Sequence, residues 1–403
     1  MAVEDRKITV LCLASYFKGG DFMKACKQQG CYVMLLTKEK LAEEAWPAEA
    51  IDERFLMPDI SKQPDVTNAV SYLARDRKID FIVALDDFDV ETAAALREHL
   101  RIPGMGDTTA RYFRDKLAMR VRAREAGLLV PDFTPVFNHD EIRAFTEEVS
   151  PPWVLKPRSQ AGAMGIRKIH SEEALWRTLE ELGDKASHFV LERFVEGDIF
   201  HVDAIISERE VVFAEVHRYW RPLLAVSHEG GVFITRTIRR ESREAKRLRE
   251  LNRELMAALG MVRGATHSEF ILGAEDGEFY FLETAARVGG ANIAELVEHS
   301  TGINLWAEWA AIEIGQIRSE PYELPQSEEA YAGILICLAR QERPDMSAYD
   351  DPEVAWRLDK KNHAGLIIVS PDQARIEALL AEYGQRFADD FLAYAPPLDE
   401  APM

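Results

Sequence analysis

Glu269 and Glu283 are residues of this chain whose type and spacing could do chemistry. They sit in the stretch His267–Gly290, HSEFILGAEDGEFYFLETAARVGG. Glu275-Asp276-Gly277 between them is a tight-turn signal, with Gly277 suited to a left-handed backbone. A hairpin centred on Asp276 sets Glu269 directly opposite Glu283. Facing side chains of an antiparallel pair stand about 4.5–5.5 Å apart, and like charges there repel. Two carboxylates so placed call for a cation, and oxygen-only donors favour magnesium or manganese over zinc. Arg287 follows, then Gly289 and Gly290, and a guanidinium beside open backbone amides fits a phosphate. The competing reading is a surface hairpin with two solvated glutamates. The other hairpin face, Phe270, Leu272, Tyr280 and Leu282, is apolar and must cover a core.

Further candidates lie upstream. Pro151–Lys156 reads as a strand entering the loop PRSQAGAMG, which returns as a strand over Ile166–His170. The loop lacks the GK[ST] of a Walker motif. A lysine at a strand end before small residues suits a flap over phosphates, whose backbone amides can approach the oxygens closely. A helix is expected from Asp107 or Thr108 to about Ala126, carrying Arg111, Arg114, Lys116, Arg120, Arg122 and Arg124. Most of these are expected on a solvated face, with Lys116 the candidate for phosphate contact. Glu192 falls in the apolar run FVLERF, where an unpaired carboxylate is costly, so it should hydrogen-bond. Strand alternation puts His267 on the side of Glu269, either lining an acceptor site or as a satisfied core histidine. His217 and Arg218 end a strand where a substrate carboxylate could bind, and Arg236 is similar. Trp220, Trp306 and Trp309 are read as core or lobe contacts.

The elements that must position these residues follow from patterning. Apolar runs at Ile8–Leu13, Tyr32–Leu36 and Ile79–Leu85 alternate with helical patterns at Asp21–Gln29, Val66–Arg77 and Val90–His99. That is the signature of a parallel sheet with covering helices. The G-x-G-x-x-G dinucleotide fingerprint is absent, so Gly19-Gly20 reads as a turn. Residues 321–403 look like a small α+β lobe. Over 403 residues, two or three domains are expected. A net charge of −20 argues against nucleic acid or an anionic membrane as the main partner. No apolar run approaches a membrane span and no signal core opens the chain, so a cytoplasmic protein is expected. Its four cysteines form no CxxC pair and read as core thiols.

Lys116, Lys156, Glu192 and the Glu269/Glu283/Arg287 group occur in an order that resembles the ATP-grasp superfamily of ATP-dependent ligases. The segments Gly264-x-x-His267-x-Glu269, Arg287-x-Gly289-Gly290-Ala291-Asn292-Ile293 and Thr301-Gly302-Ile303-Asn304-Leu305 look most like its carboxylate–amine ligases, which include L-amino acid ligases. Biotin carboxylase-like proteins are near relatives. The resemblance implies an α/β and α+β multidomain fold. An N-terminal Rossmann-like domain (1–106) and a linker helix (107–127) would lead to a small lobe (128–195), a large lobe (196–320) and the C-terminal lobe (321–403).

It also implies roles. Lys116 and Lys156 would contact ATP phosphates under a flap of Ser159–Gly165, including Gly162 and Ala163. Glu192, Arg193, Phe194 and Val195 would form the adenine hinge, with backbone groups of Arg193 and Val195 on the ring edge, and Asp198 would take the ribose. Glu269 and Glu283 would hold magnesium, or manganese. Arg287, with Lys156 the catalytic pair, would steady the transferred phosphoryl group. His217, Arg218, His267, Arg287, Gly289 and Gly290 would face the substrates. Many members carry an asparagine two residues after the second metal glutamate, where this chain has Ala285; Thr284 or a backbone oxygen would then compensate, or water. The expected activity is amide or peptide bond formation between a small-molecule carboxylate and an amine, through an acylphosphate. A bicarbonate-using carboxylase and a non-catalytic ATP-binding protein are the alternatives. A homodimer is left open, and the substrates are not identified.

Overall fold

The computed structural model describes residues 6–394, apart from 223, 225 and 227–229. The N-terminal region is a parallel sheet of β1 (Thr9–Ala14), β2 (Tyr32–Lys38), β3 (Glu53–Met57) and β4 (Phe81–Ala84), in the order β3-β2-β1-β4. Every residue of β1 is buried, because helices cover both faces. Val10, Cys12 and Ala14 enter one core and Leu11 and Leu13 another. The strand order reverses between β1 and β4, which opens a crevice at their C-terminal ends. Asp86 and Asp87 stand at that edge.

The single helix expected from Asp107 to Ala126 is two helices, Asp107–Arg111 and Lys116–Glu125. Asp115 breaks it: its carboxylate accepts from the amides of Leu117 (3.0 Å) and Ala118 (3.4 Å) and so starts a new helix. The expected solvated basic face is also only partly so, since Arg114, Lys116 and Arg120 are buried.

The small lobe is an antiparallel sheet of β5 (Phe133–Pro135), β6 (Trp153–Pro157), β7 (Arg167–Ile169) and β8 (Phe189–Arg193), in the order β5-β8-β6-β7. Trp153, Leu155 and Leu191 pack there against Ile142, Phe145 and Leu175 of two helices. The remaining strands are β9 (Gly197–Ser207), β10 (Glu210–Tyr219), β11 (Phe233–Thr237), β12 (Gly264–Gly273), β13 (Phe279–Ala285), β14 (Tyr331–Leu338), β15 (Val354–Arg357) and β16 (His363–Ser370). They form one sheet, ordered β13-β12-β9-β10-β11-β14-β16-β15. The C-terminal lobe therefore extends the sheet of the large lobe: β14 pairs antiparallel with β11, and helix Gln373–Asp390 covers its own face. Among the described residues no helix is long and apolar enough to cross a membrane.

The hairpin of β12 and β13 has the expected register at its key point, with Glu269 opposite Glu283. A bulge follows, so Phe270 pairs with Phe281 where the simple hairpin would give Leu282. Phe281 is buried with Phe270 on the core side, and Leu282 turns to the cavity described next. All four cysteines are buried free thiols. Trp306 and Trp309 are buried, whereas Trp220 is 42% exposed.

Candidate active site

A cavity of about 1280 Å³ lies between the small lobe and the large sheet, beside the edge of the N-terminal sheet. Lys116, Lys156, Glu192, Glu269, Glu283 and Arg287 all line it. Lys156 is the penultimate residue of β6, and its ammonium meets the Glu192 carboxylate at 2.8 Å. Arg120 approaches the other oxygen of Glu192 at 2.9 Å from the helix Lys116–Glu125. Burial alone would raise the Glu192 carboxyl, but the two cations hold it below the ordinary range. The hydrogen-bonding role expected for Glu192 is thus met by two cations.

Lys116 opens its helix and is nearly enclosed. Its ammonium donates to the Gln160 carbonyl (2.6 Å) and sits 3.0 Å from Glu283. The same region of chain is pinned to the flap root: the Lys116 amide donates to the Arg158 carbonyl, Arg114 donates to the Ser159 carbonyl, and Arg158 pairs with Asp115. Gly162 and Ala163 line the cavity with left-handed backbones at φ 66° and 61°. Ser159 and Gly165 lie outside the lining. Gln160 and Ala161 of the expected flap also line the cavity, whereas Lys168 was not anticipated there; its ammonium stands 3.6 Å from the centre of the Phe194 ring.

At the expected hinge, Arg193, Phe194 and Val195 line the cavity. The Arg193 amide donates to the Asp132 carbonyl, so it is not free to pair with a ring edge. Asp198 lines the mouth and pairs with Arg218 at 2.6 Å.

Glu269 and Glu283 present an oxygen-only donor pair, consistent with a divalent ion. Tyr219 donates to Glu269 Oε1 at 2.8 Å, and His267 Nε2 lies 3.5 Å from the same oxygen. Burial alone would raise the Glu283 carboxyl, and Lys116 holds it low. Thr284 lines the cavity, but its buried hydroxyl is engaged by Ser268 Oγ at 2.8 Å and by the His267 carbonyl at 3.3 Å. Ala285 lines the cavity opposite His267.

Arg287 donates through Nε to Asp87 at 2.8 Å, and Arg114 lies 3.9 Å from that carboxylate. Asp87 thus reaches the cavity from the N-terminal sheet. Burial would raise its carboxyl; Arg287 and Arg114 lower it further than burial raises it.

The expected substrate residues separate. His267 and Gly290 line the cavity; Gly289 is packed behind it, where a side-chain carbon would come within 2.9 Å of Asp203. His217 does not reach the lining: it is fully buried, 3.2 Å from Asp203 and stacked on His201 at 4.7 Å. Arg218 is held at Asp198, and Arg236 pairs with Glu377 at 2.7 Å, both outside the lining. Beneath the floor, Asp203 accepts from His201 (2.7 Å) and His267 (2.8 Å). Burial pushes His201 down to about 3; His267, which burial would also lower, is carried up to about 9 by Asp203.

Residues 149–295 match the family model described as ATP-grasp domain. Among curated proteins, the chain is 28% identical over 262 residues to an L-arginine-specific L-amino acid ligase from Bacillus subtilis, covering 63% of this chain and 62% of that one. It is 24% identical to an alanine–anticapsin ligase from Bacillus subtilis (strain 168), over 60% of this chain and 56% of that one. The match spans about three fifths of the length of these relatives. Among solved structures, an L-amino acid ligase from Bacillus licheniformis superposes with a TM-score of 0.76 at 17% identity, covering 97% of this chain and all of that one. A biotin carboxylase from Campylobacter jejuni gives 0.68 at 15%, covering 96% and 92%. Residues 149–295 thus match an ATP-grasp domain, the chain is similar in sequence to carboxylate–amine ligases, and its fold is similar to that of a biotin carboxylase.

Proposed function

We propose that the protein is an ATP-dependent ligase that joins the carboxylate of one amino acid to the amine of another, releasing ADP and phosphate. The observation that carries this reading is the convergence of the opposed Glu269/Glu283 pair, Lys116, Lys156 and Arg287 on one cavity. The names of the curated relatives support amide formation between amino acids.

Each residue then has a task. Lys116 and Lys156 neutralise the phosphates of ATP. The flap at Gly162 and Ala163 closes over them and excludes water from a reactive acylphosphate. Glu269, oriented by Tyr219, and Glu283 would hold magnesium or manganese, which lowers the charge on the phosphate oxygens when bound. Arg287, aimed by Asp87, stabilises charge on the phosphoryl group as it transfers. A substrate carboxylate oxygen attacks the γ-phosphorus and the bond to the bridging oxygen of ADP breaks. The amine of the second substrate attacks the acyl carbon, phosphate departs, and the amine loses a proton. No serine or cysteine nucleophile is required, because the substrate carboxylate is the nucleophile.

The reading is tested by ADP release in the presence of ATP, magnesium and a matrix of amino-acid pairs, with bicarbonate alone as a separate arm. Release that depends on a pair, with a matching dipeptide, is the expected result. Release with bicarbonate alone would move the assignment to carboxylation. Magnesium-dependent ATP binding with no release in any arm would indicate a binding protein, as Ala285 allows. Glu283→Gln should lower turnover at least about 100-fold with its melting curve little changed.

A further inference from the structure

Three neighbouring strands gather histidines on one patch beneath the cavity floor. His201 and Asp203 are two residues apart on β9 and so share a face. The strand β12 sets His267 opposite Asp203, and β10 sets His217 opposite His201. His201, Asp203 and His217 are fully buried, and His267 is 9% exposed at the cavity wall. The Nδ1 atoms of all three histidines turn to the one carboxylate. His201 stands 2.7 Å and His217 3.2 Å from Oδ2, and His267 stands 2.8 Å from Oδ1.

Hydrogen bonding to Asp203 accounts for His201 and His267. It does not account for His217. The His217 Nδ1 makes no well-directed hydrogen bond to Asp203, and its Nε2 has no partner among the described residues. A buried imidazole left in this way is costly, and an apolar ring would stack on His201 as well. Three imidazole nitrogens and a carboxylate oxygen that converge from paired strands are the donor set of a closed four-coordinate zinc site. The donor atoms of His201, Asp203 and His267 already lie within 4.8 Å of one another. Tetrahedral donors at about 2.0–2.1 Å from zinc stand about 3.3 Å apart, so the rings of His201 and His267 need withdraw by only about half an ångström. The outer nitrogens are oriented as metal-ligating histidines require: His201 Nε2 lies 2.8 Å from Thr235 Oγ1, and His267 Nε2 lies 3.5 Å from Glu269.

We propose that His201, Asp203, His217 and His267 form a binding site for one transition-metal ion of the zinc kind, separate from the Glu269/Glu283 pair. The two sites sort ions by donor chemistry. Imidazole nitrogens favour zinc, cobalt or nickel, whereas an oxygen-only pair favours magnesium or manganese. With four protein donors the ion has no open position for a substrate, so its work is structural. It ties β9, β10 and β12 together and fixes the His267 ring at the cavity wall. Without an ion, the two hydrogen bonds to Asp203 hold the same cluster. The site does not depend on the ligase reading.

The test strips the full chain with a chelator and titrates it with cobalt(II) in excess magnesium. The expected result is uptake of one ion per chain, with the intense visible absorption of four-coordinate cobalt, and its displacement by zinc. His217→Phe keeps a ring against His201 and removes a donor. It should weaken cobalt binding by at least about 10-fold with an unchanged circular dichroism spectrum, whereas Glu283→Gln should leave cobalt binding as it is. His267→Leu is read in the same way if His217→Phe does not fold. Wild-type protein that takes up no cobalt, or takes it up without the four-coordinate spectrum, would overturn the site. So would equal binding after loss of His217 or His267. Uptake that disappears in Glu283→Gln would assign the ion to the oxygen-only pair and overturn the site as well.

Discussion

Asp87 and Arg287 are 200 residues apart in sequence and form one side of the cavity together. Nothing in the spacing of either residue announces the other. Arg287 was legible as a cavity residue from the dicarboxylate hairpin before it, whereas Asp87 was only an acid after an apolar strand. Its role depends on where the N-terminal sheet docks, and no local pattern encodes that. Arg120 was hidden for a similar reason: a helix with six cations reads as solvated until its buried partner, Glu192, is known. His217 was misleading in the opposite sense, because a strand-end histidine looks accessible until the neighbouring strands cover it. Asp87→Asn should loosen Arg287 and lower kcat by roughly 10- to 100-fold, with KM for ATP little changed, since small displacements of a catalytic group cost that much. Steady-state kinetics on the purified variant checks this; equal losses in kcat and ATP affinity would indicate general damage.

Among the elements, the β12–β13 hairpin was the most legible. A symmetric turn at Asp276 fixed Glu269 against Glu283, and two facing acids can be counted from a sequence. The bulge that exchanges Leu282 for Phe281 was not visible, because both residues are apolar and either suits a core face. The break in the linker was missed because Asp115 sits in an otherwise helical pattern, where an aspartate can either continue a helix or cap a new one. The start of β9 has a different constraint. A side-chain carbon on Gly197 would lie 1.9 Å from the Leu272 carbonyl oxygen, where β9 and β12 first pair. Gly197→Ala should therefore cost about 1–3 kcal/mol and disturb the hinge that precedes it. Chemical denaturation reports the loss, and a raised KM for ATP reports the hinge.

Among the described residues, three sheets meet beside the cavity. Strand and helix alternation made the N-terminal sheet legible, and the α+β character of the tail was equally clear from its patterning. That the tail continues the large sheet was not, because pairing of β14 with β11 spans nearly a hundred residues and apolar strands do not name their partners.

The ion pairs that hold the parts together give the molecule a pH signature. Burial would raise Asp80, Asp87, Asp115 and Glu192, but Arg6, Arg287, Arg158 and Arg120 hold them below their ordinary values. Such groups add stability that is full above about pH 4 and lost as pH falls through their folded values. Burial lowers His201 to about 3, which has the same sign and begins to act below the ordinary histidine value of 6.5. His267, raised to about 9, has the opposite sign: its contribution is present below 6.5 and is lost as pH climbs to 9. The urea midpoint should therefore peak near neutrality and fall on both sides, more steeply toward pH 3.5. A midpoint that rises steadily from pH 7 to pH 4 would contradict these pairings.

The central claim is that a substrate carboxylate takes the γ-phosphoryl group of ATP before an amine displaces it. The direct measurement uses an amino acid whose carboxylate oxygens are ¹⁸O, with unlabelled ATP and water, and mass analysis of the phosphate released. One ¹⁸O atom should appear in each phosphate formed with product, because the bridging oxygen of the acylphosphate leaves with phosphorus. Phosphate that carries no label while amide product accumulates would contradict the account.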